Sequence, residues 1–313
     1  MRRRLRRAGT WLGIALLALA AAATVAAAAY DAATPGGVPA RELYAGPYVE
    51  VGGRSLAYRR WGTGGSPVVL LGGFAEASDV WRKVGPLLAR RHRVYALDLP
   101  PFGYSERKGP YGVQAWLGEL EGFERALRIS RPVLVGHSLG AATVVGEALR
   151  RPAALRGIVL LDGDALPVGG APHWLGDLAL DPWFTALYRV LTRSDWLVRR
   201  VLRDAYGPHP PPLGRAELER WKRPFRVAGT QAAFRDFAAG GGSTGWSLAD
   251  LRRVRDVPRV VAWGAHDTVD AVAAGRATAR ALRAPFVLLP GAGHLSMLTN
   301  PRGVAAAVER VAS

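Results

Sequence analysis

Cysteine is absent from the 313-residue chain, so neither a disulfide framework nor a thiolate metal site can form. Lysine is scarce, with three residues, and 42 basic against 25 acidic residues give a formal charge of +17. The basic residues are scattered, and no arginine-rich helix or RNA-binding signature accompanies them. The six histidines include no H-x-x-x-H pair. We therefore expect no metal site, no cofactor and no nucleic-acid partner.

Charge is also missing from residues 11–29, a run of nineteen residues of which ten are alanine. Five arginines lie among residues 2–7, just before this run. A basic start followed by an uncharged stretch of this length is typical of a transmembrane helix or a signal segment, and we assign residues 1–30 to one of these. A buried Ala-rich helix is the alternative. Because few basic residues follow, the positive-inside rule predicts a body anchored in the membrane through this helix and lying outside the cytoplasm, or secreted if the segment is cleaved.

The rest of the chain alternates apolar runs of strand length with segments of helical periodicity. Gly52-Gly53 between the first two runs indicates a hairpin, and residues 78–88 and 113–129 carry helical stripes. This alternation predicts an α/β fold with a mostly parallel, doubly wound sheet covered by helices. The predicted strands cover residues 48–51, 55–61, 67–71, 92–97, 132–135, 157–161, 258–263 and 286–289.

The alternation stops between residues 164 and 250, where prolines, glycines and tryptophans replace it. We interpret residues 164–250 as an inserted helical cap, 31–47 as a tether, and 48–163 with 251–313 as one α/β core. The insertion holds 11 of the 27 aromatic residues. These aromatic side chains either pack the cap onto the core or form an apolar roof over a cleft.

One serine lies in a turn between two elements of the predicted core. Residues 132–135 read as a buried strand, and Ala141 begins a segment of helical spacing. The motif Gly-His-Ser-Leu-Gly, residues 136–140, lies between them. A tight strand-to-helix turn needs glycine on both sides of the serine, because a side chain there would collide with neighbouring backbone. Ser138 is therefore a candidate nucleophile, and an ordinary turn serine is the alternative.

Later strands also end in candidate side chains. Asp267 follows the next-to-last predicted strand and His294 the last, while Asp162 and Asp164 follow an earlier one. The carboxyl ends of parallel strands gather at one edge of a sheet. Ser138, His294 and one of these carboxylates can therefore meet despite their separation in sequence.

The order of these elements, from residue 48 to residue 313, resembles the α/β-hydrolase family. In that family a loop after an early strand supplies an oxyanion donor, and nucleophile, acid and base follow in the order Ser, Asp, His. The segments that carry the resemblance are residues 72–74, 136–140, 264–267 and 291–294.

The resemblance implies that Ser138 is the nucleophile, that His294 removes its proton, and that Asp267 holds the imidazole in the right tautomer. Asp162 stays an alternative acid, since some family members take theirs from the earlier strand. The implied oxyanion hole consists of two backbone N–H groups, those of Phe74 and Leu139. No cofactor is implied.

This chain departs from the family pattern beside the predicted oxyanion hole. Gly72-Gly73 stands where the family often has His-Gly, so we expect a hydrogen bond that orders this loop to be missing. We interpret His137 as a bystander in the variable position of the turn.

These residues indicate a serine hydrolase that cleaves a carboxylic ester or related acyl bond of a small, apolar substrate through an acyl-enzyme. A serine at the turn disfavours the dehalogenase and epoxide-hydrolase members, which use aspartate there. The alternatives are a C–C bond hydrolase, a cofactor-free haloperoxidase-like enzyme, and a catalytically silent hydrolase-fold protein that binds a ligand.

Overall fold

The computed structural model describes residues 2–33, 37–167, 183–240 and 245–312. The chain forms two compact units. One comprises Met1–Gly36 and Ala171–Ser194, and the other comprises Gly37–Gly170 and Asp195–Ser313. The second unit contains the sheet and every candidate site residue.

An eight-stranded sheet forms the core of the second unit, with strand order β1-β2-β4-β3-β5-β6-β7-β8. The first two strands form an antiparallel hairpin, β2 pairs antiparallel with β4, and the other strands run parallel. The strands are β1 (Tyr48–Val51), β2 (Arg54–Trp61), β3 (Ser66–Leu71), β4 (His92–Leu97), β5 (Val133–His137), β6 (Gly157–Leu161), β7 (Arg259–Gly264) and β8 (Phe286–Leu289).

These positions confirm the predicted strands and the mostly parallel sheet. The central strands β5 and β6 are buried along their whole length, as expected where helices cover both faces and leave no polar alternation. At the hairpin, Gly52 and Gly53 have φ of 57° and 75°, the left-handed backbone that a two-residue turn between twisted strands requires.

Helices follow most of the strands. They are α1 (Arg2–Ala33), α2 (Ala40–Leu43), α3 (Gly85–Leu88), α4 (Val113–Ala126), α5 (Gly140–Arg150), α6 (Trp183–Arg193), α7 (Asp195–Tyr206), α8 (Arg215–Lys222), α9 (Thr230–Ala239), α10 (Leu248–Leu251), α11 (Val272–Leu282), α12 (Ser296–Thr299) and α13 (Pro301–Ala312). Short 3₁₀ turns cover Ser78–Arg82, Pro152–Ala154 and Arg223–Arg226.

The single helix predicted over residues 78–88 is wrong. The segment forms the 3₁₀ turn Ser78–Arg82 and then the short α3, which has Pro86 in its first turn. Proline lacks an N–H and clashes with the preceding turn, so a helix begins at such a residue and does not run through it. The predicted apolar stripe is nevertheless buried at Val80, Trp81 and Leu88.

The first unit contains α1, which includes the uncharged run at residues 11–29. Within the ranges that the structure describes, no helix combines the length and apolarity needed to cross a bilayer. The predicted transmembrane helix is therefore not supported.

Helices also occupy the chain between β6 and β7, where the sequence predicted a cap. In the described parts of this stretch, residues 162–167, 183–240 and 245–258, the chain forms helices and turns and adds no strand to the sheet. The boundaries 164 and 250 stay a prediction, and residues 168–182 and 241–244 lie outside the described residues.

Candidate active site

Ser138 lies in the turn between β5 and α5. Its backbone φ is 48°, in the left-handed region that few residues other than glycine adopt. Its N–H donates to the carbonyl of Leu161 at the end of β6, with an N···O distance of 2.9 Å. Backbone strain of this kind persists only where the surrounding structure enforces it, and it is common at functional sites.

Close packing explains the glycines on both sides of Ser138. A Cβ on Gly136 would lie 2.5 Å from the carbonyl oxygen of Gly140, and one on Gly140 would lie 2.6 Å from the carbonyl oxygen of Gly72. Real Cβ atoms essentially never approach backbone so closely. The predicted reason for the two glycines is therefore confirmed.

His294 and Asp267 meet at the same edge of the sheet. His294 Nδ1 lies 2.8 Å from Asp267 Oδ2, and both side chains are buried. The other oxygen, Asp267 Oδ1, accepts the N–H groups of Val269 and Asp270 at 2.9 Å each. These two bonds aim Oδ2 at the ring. The hydrogen bond places the imidazole proton on Nδ1, and Nε2 is then the basic nitrogen.

Asp162, the alternative acid, has different partners. Its Oδ1 accepts the N–H of Gly264 at 2.6 Å, and its Oδ2 accepts the hydroxyl of Ser296. The carboxylate is fully buried, and this burial raises its pKa to about 7 although His137 lies nearby and opposes the shift. Asp162 thus connects β7 and α12, and it does not bond to His294.

The two predicted oxyanion donors lie in the turn that holds Ser138 and in the loop after β3. The Leu139 amide follows the serine directly, and the Phe74 amide lies in the loop after β3. This loop passes close to the nucleophile, since a Cβ on Gly73 would lie 2.8 Å from Ser138 Cβ. Across the described residues neither amide donates to a protein acceptor. Both can therefore serve an oxygen of a substrate.

A carboxylate that the sequence analysis missed orders this loop. Glu76 Oε2 accepts the N–H of Gly73 at 2.6 Å and lies 2.9 Å from Nδ1 of His137. The expectation of a missing hydrogen bond is therefore wrong, because Glu76 supplies one. His137 is not a bystander either, since its Nε2 lies 2.8 Å from the carbonyl oxygen of His294. The available signal was a carboxylate three residues after Gly73 together with a histidine in the turn.

Aromatic side chains surround the loop after β3. Phe74 is 56% exposed, although its ring contacts others, with centroid distances of 5.4 Å to Phe102 and 5.6 Å to Phe234. Phe237 lies 6.2 Å from Phe74 and stacks on Trp116. Two of these residues, Phe234 and Phe237, belong to α9 within the predicted cap. Apolar surface therefore lies beside one of the two candidate oxyanion donors.

No group of three or more His, Cys, Asp or Glu residues in the described ranges is arranged to hold a metal ion. The chemistry that the geometry supports is that of an activated hydroxyl. Ser138 is in a strained turn, a buried histidine has its tautomer set by a carboxylate, and the two candidate oxyanion amides lie in the serine turn and in the loop after β3.

A family model described as the alpha/beta hydrolase fold matches residues 66–301. The chain belongs to the α/β-hydrolase fold family. The matched range contains Ser138, Asp267 and His294. The chain is similar in sequence to the 2-hydroxy-6-oxo-2,4-heptadienoate hydrolase of Pseudomonas putida, at 39% identity over 31% of this chain and 37% of that protein.

A second relative covers more of the chain. It is the dihydrolipoyllysine-residue acetyltransferase component of an acetoin cleaving system from Pseudomonas putida, at 29% identity over 79% of this chain and 63% of that protein. The chain thus spans between about a third and two thirds of the length of these curated relatives.

Among solved structures, a bacterial membrane phospholipase A matches the chain with a TM-score of 0.68. The identity is 25%, and the match covers 99% of this chain and 98% of that one. An esterase from Thermogutta terrifontis has the same TM-score of 0.68 at 23% identity, over 84% of this chain and 97% of that one. The second likeness shows the fold alone.

Proposed function

We propose that this protein is a serine hydrolase that cleaves a carboxylic ester or a related acyl bond through an acyl-enzyme. The observation that carries the proposal is the bond between His294 Nδ1 and Asp267 Oδ2, at 2.8 Å, at the sheet edge where Ser138 occupies a strained turn. A hydroxyl is a poor nucleophile at neutral pH, and this arrangement provides the base that activates it.

In the proposed reaction, Nε2 of His294 takes the proton of Ser138 as its oxygen attacks the substrate carbonyl. Asp267 keeps the ring in the reactive tautomer and stabilises the imidazolium that forms. The negative charge that develops on the carbonyl oxygen is held by the amides of Phe74 and Leu139. His294 then returns the proton to the leaving group, and water releases the acyl group by the reverse sequence.

We propose an apolar acyl group as the substrate class, because the exposed ring of Phe74 adjoins one oxyanion donor. The phospholipase A that is similar over nearly the whole chain supports an acyl ester. A buried methylene contributes about 0.8 kcal/mol, so each added carbon raises kcat/KM by up to about fourfold until the pocket is full. A series of 4-nitrophenyl esters from acetate to octanoate measures this, and a flat profile contradicts it.

A C–C bond hydrolase is the second candidate, and a specific observation favours it. The relative with 39% local identity is named a 2-hydroxy-6-oxo-2,4-heptadienoate hydrolase. Loss of absorbance from a 2-hydroxy-6-oxo-2,4-dienoate, compared with release of 4-nitrophenol from an ester, separates the two reactions. If the protein turned over only the dienoate, the ester proposal would be overturned, whereas the assignment as a serine hydrolase would stand.

Replacement of the nucleophile tests the proposal directly. We expect Ser138→Ala to abolish labelling by a fluorophosphonate probe and to lower kcat by roughly 10⁴-fold or more. Ser247→Ala is the matched control, because Ser247 is exposed and caps α10. Wild-type labelling that survives in Ser138→Ala would remove Ser138 from the mechanism, and a wild-type protein that is never labelled would favour the silent alternative.

We also propose that residues 1–30 direct the protein to or across a membrane, which places the hydrolase outside the cytoplasm. The support is the run of five arginines before nineteen uncharged residues. A fusion of residues 1–30 to alkaline phosphatase, which is active only after export, should be active in cells. An inactive fusion of normal abundance would contradict this.

A further inference from the structure

Two buried ionisable side chains outside the proposed triad connect the loops that carry its parts. Glu76 is 7% exposed and His137 is 0% exposed. Glu76 Oε2 bonds to the Gly73 amide at 2.6 Å and to His137 Nδ1 at 2.9 Å, while His137 Nε2 lies 2.8 Å from the carbonyl oxygen of His294. The loop after β3, the turn that holds Ser138 and the loop after β8 are thereby joined in one chain of hydrogen bonds.

The geometry determines the protonation of His137. Both ring nitrogens face acceptors, a carboxylate on one side and a backbone carbonyl on the other. A neutral imidazole has one N–H and can donate only one of these bonds, so beside an ionised Glu76 both bonds require the imidazolium. Glu76 is then the counter-ion and accepts from a charged donor and an amide.

The electrostatics of the two groups agree with this assignment. Burial is the largest single effect and acts to lower the pKa of His137, but the charge and hydrogen bond of Glu76, the charge of Asp162 and the His294 carbonyl together outweigh it and raise that pKa to about 9. Burial is also the largest single effect on Glu76 and acts to raise its pKa, but the charge and hydrogen bond of His137, together with the Gly73 amide, outweigh it and lower that pKa. The other ionisable groups that act on this pair are Asp162, which also raises the pKa of His137, and His294, which also lowers that of Glu76.

We propose that Glu76 and protonated His137 are a positioning pair, which holds the oxyanion loop and the His294 loop in register with Ser138. This inference rests on the proposed serine hydrolase function. Neither side chain is assigned a bond to substrate. A buried ion pair gives little net stability compared with apolar residues of similar shape, so its advantage here is fixed geometry. Geometry matters because a misplacement of about 1 Å can cost roughly 10²-fold in rate.

Two variants separate positioning from stability. Glu76→Gln leaves a buried imidazolium without its counter-ion, so both the Tm and kcat should fall. In Glu76→Gln/His137→Asn no buried charge is left unpaired, and the Asn side chain is too short to bridge the loop after β3 and the His294 carbonyl. We expect the Tm to recover, whereas kcat for 4-nitrophenyl butyrate stays about 10- to 100-fold low with KM within about threefold. A folded double variant with wild-type kcat would overturn the proposal.

Glu119→Gln is the matched control. Glu119 is also a buried carboxylate in an ion pair, but its partner is Arg54 on β2. We expect this variant to lower the Tm without lowering kcat. If kcat of Glu119→Gln fell as much as kcat of the Glu76 variants, the loss of activity in those variants would come from lower stability and not from lost positioning.

Hydrogen exchange gives a readout that does not need turnover. In the double variant, peptides covering residues 72–80 and 290–297 should exchange faster, while both stay protected in Glu119→Gln. Unchanged exchange in the double variant would overturn the positioning role, even if no substrate has been found. If the exchange pattern is as expected but the fluorophosphonate probe does not label the wild-type protein, only the serine hydrolase proposal is overturned.

The wild-type protein provides a test that does not depend on any variant folding. As the pH rises through about 9, His137 loses one of its two N–H donors. We expect kcat to fall across that pH range in the wild type, and we expect this fall to be absent from the double variant. A wild-type kcat that stays constant from about pH 8 to about pH 10 would contradict the charged pair.

Discussion

Two neighbouring loops at the same sheet edge each present a buried aspartate, and the two carboxylates face different partners. After β6, Asp162 accepts an amide and a serine hydroxyl that belong to the scaffold. After β7, Asp267 accepts two amides of its own loop and directs its other oxygen at His294. Residue type and position at a strand end are the same. The difference shows that the partners decide which carboxylate can act on the histidine.

The first test of this comparison is Asp267→Asn, which should have the largest effect. An asparagine at this position presents an NH₂ or a weaker acceptor to His294 and favours the wrong imidazole tautomer. We expect kcat to fall by roughly 10³- to 10⁴-fold, with the fold intact. Steady-state ester hydrolysis and circular dichroism measure the two quantities. If Asp162→Asn were the variant that lost this activity, the comparison would be reversed.

Ser296→Ala tests the structural role of the first loop. It removes the hydroxyl that donates to Asp162 and leaves one buried carboxylate oxygen without its described partner. We expect the free energy of unfolding to drop by about 1–3 kcal/mol in urea titrations, with kcat within about threefold of wild type. The control is Thr299→Val in the same segment, since Thr299 donates to the neutral carbonyl of Leu295 and should lose only about 0.5–1.5 kcal/mol.

Asp162→Asn should have the smallest effect at neutral pH and a characteristic pH dependence. Burial raises the pKa of Asp162 from its ordinary 3.8 to about 7 in the folded protein. A raised carboxyl pKa contributes stability below the unfolded value, and that stability is lost as the pH rises through the folded value. The Tm of Asp162→Asn relative to wild type should therefore increase between about pH 4 and about pH 7 and then level off.

Other buried carboxyls titrate in the same range, but they are present in both proteins and cancel in the difference. If the Tm difference between Asp162→Asn and wild type did not change with pH, the pKa of Asp162 would not be raised in the folded protein. A kcat for Asp162→Asn more than about tenfold below wild type would instead give this loop a part in the reaction.

Local patterns were sufficient to predict the sheet and the serine turn. The strands at 157–161 and 286–289 were predicted to the residue, because each is a short apolar run bounded by turn residues. The glycines around Ser138 were predicted for the right reason, because a tight strand-to-helix turn brings backbone close to both positions, although the backbone that Gly140 approaches is that of the distant Gly72. The prediction of one helix over residues 78–88 was wrong, since Pro86 lies in the first turn of a new helix that begins at Gly85.

The partners of the buried polar groups could not be predicted from local patterns. Glu76 and His137 lie 61 residues apart, and Asp162 and Ser296 lie 134 apart. Nothing in the sequence beside Asp162 or Asp267 states which carboxylate turns toward His294. That choice depends on the side-chain directions that the packed strands impose, and the local sequence pattern does not specify these directions.

Phe74 combines two tasks in one residue, and this has a consequence for redesign. Its backbone carries a proposed oxyanion donor, while its ring contacts Phe102 and Phe234. Substitutions at Phe74 therefore confound selectivity with turnover, and their kinetics cannot be assigned to either. Phe234 and Phe237 contribute rings to the same cluster from α9, on a separate segment of backbone. A library meant to change which acyl groups are accepted should vary those two positions and keep Phe74 constant.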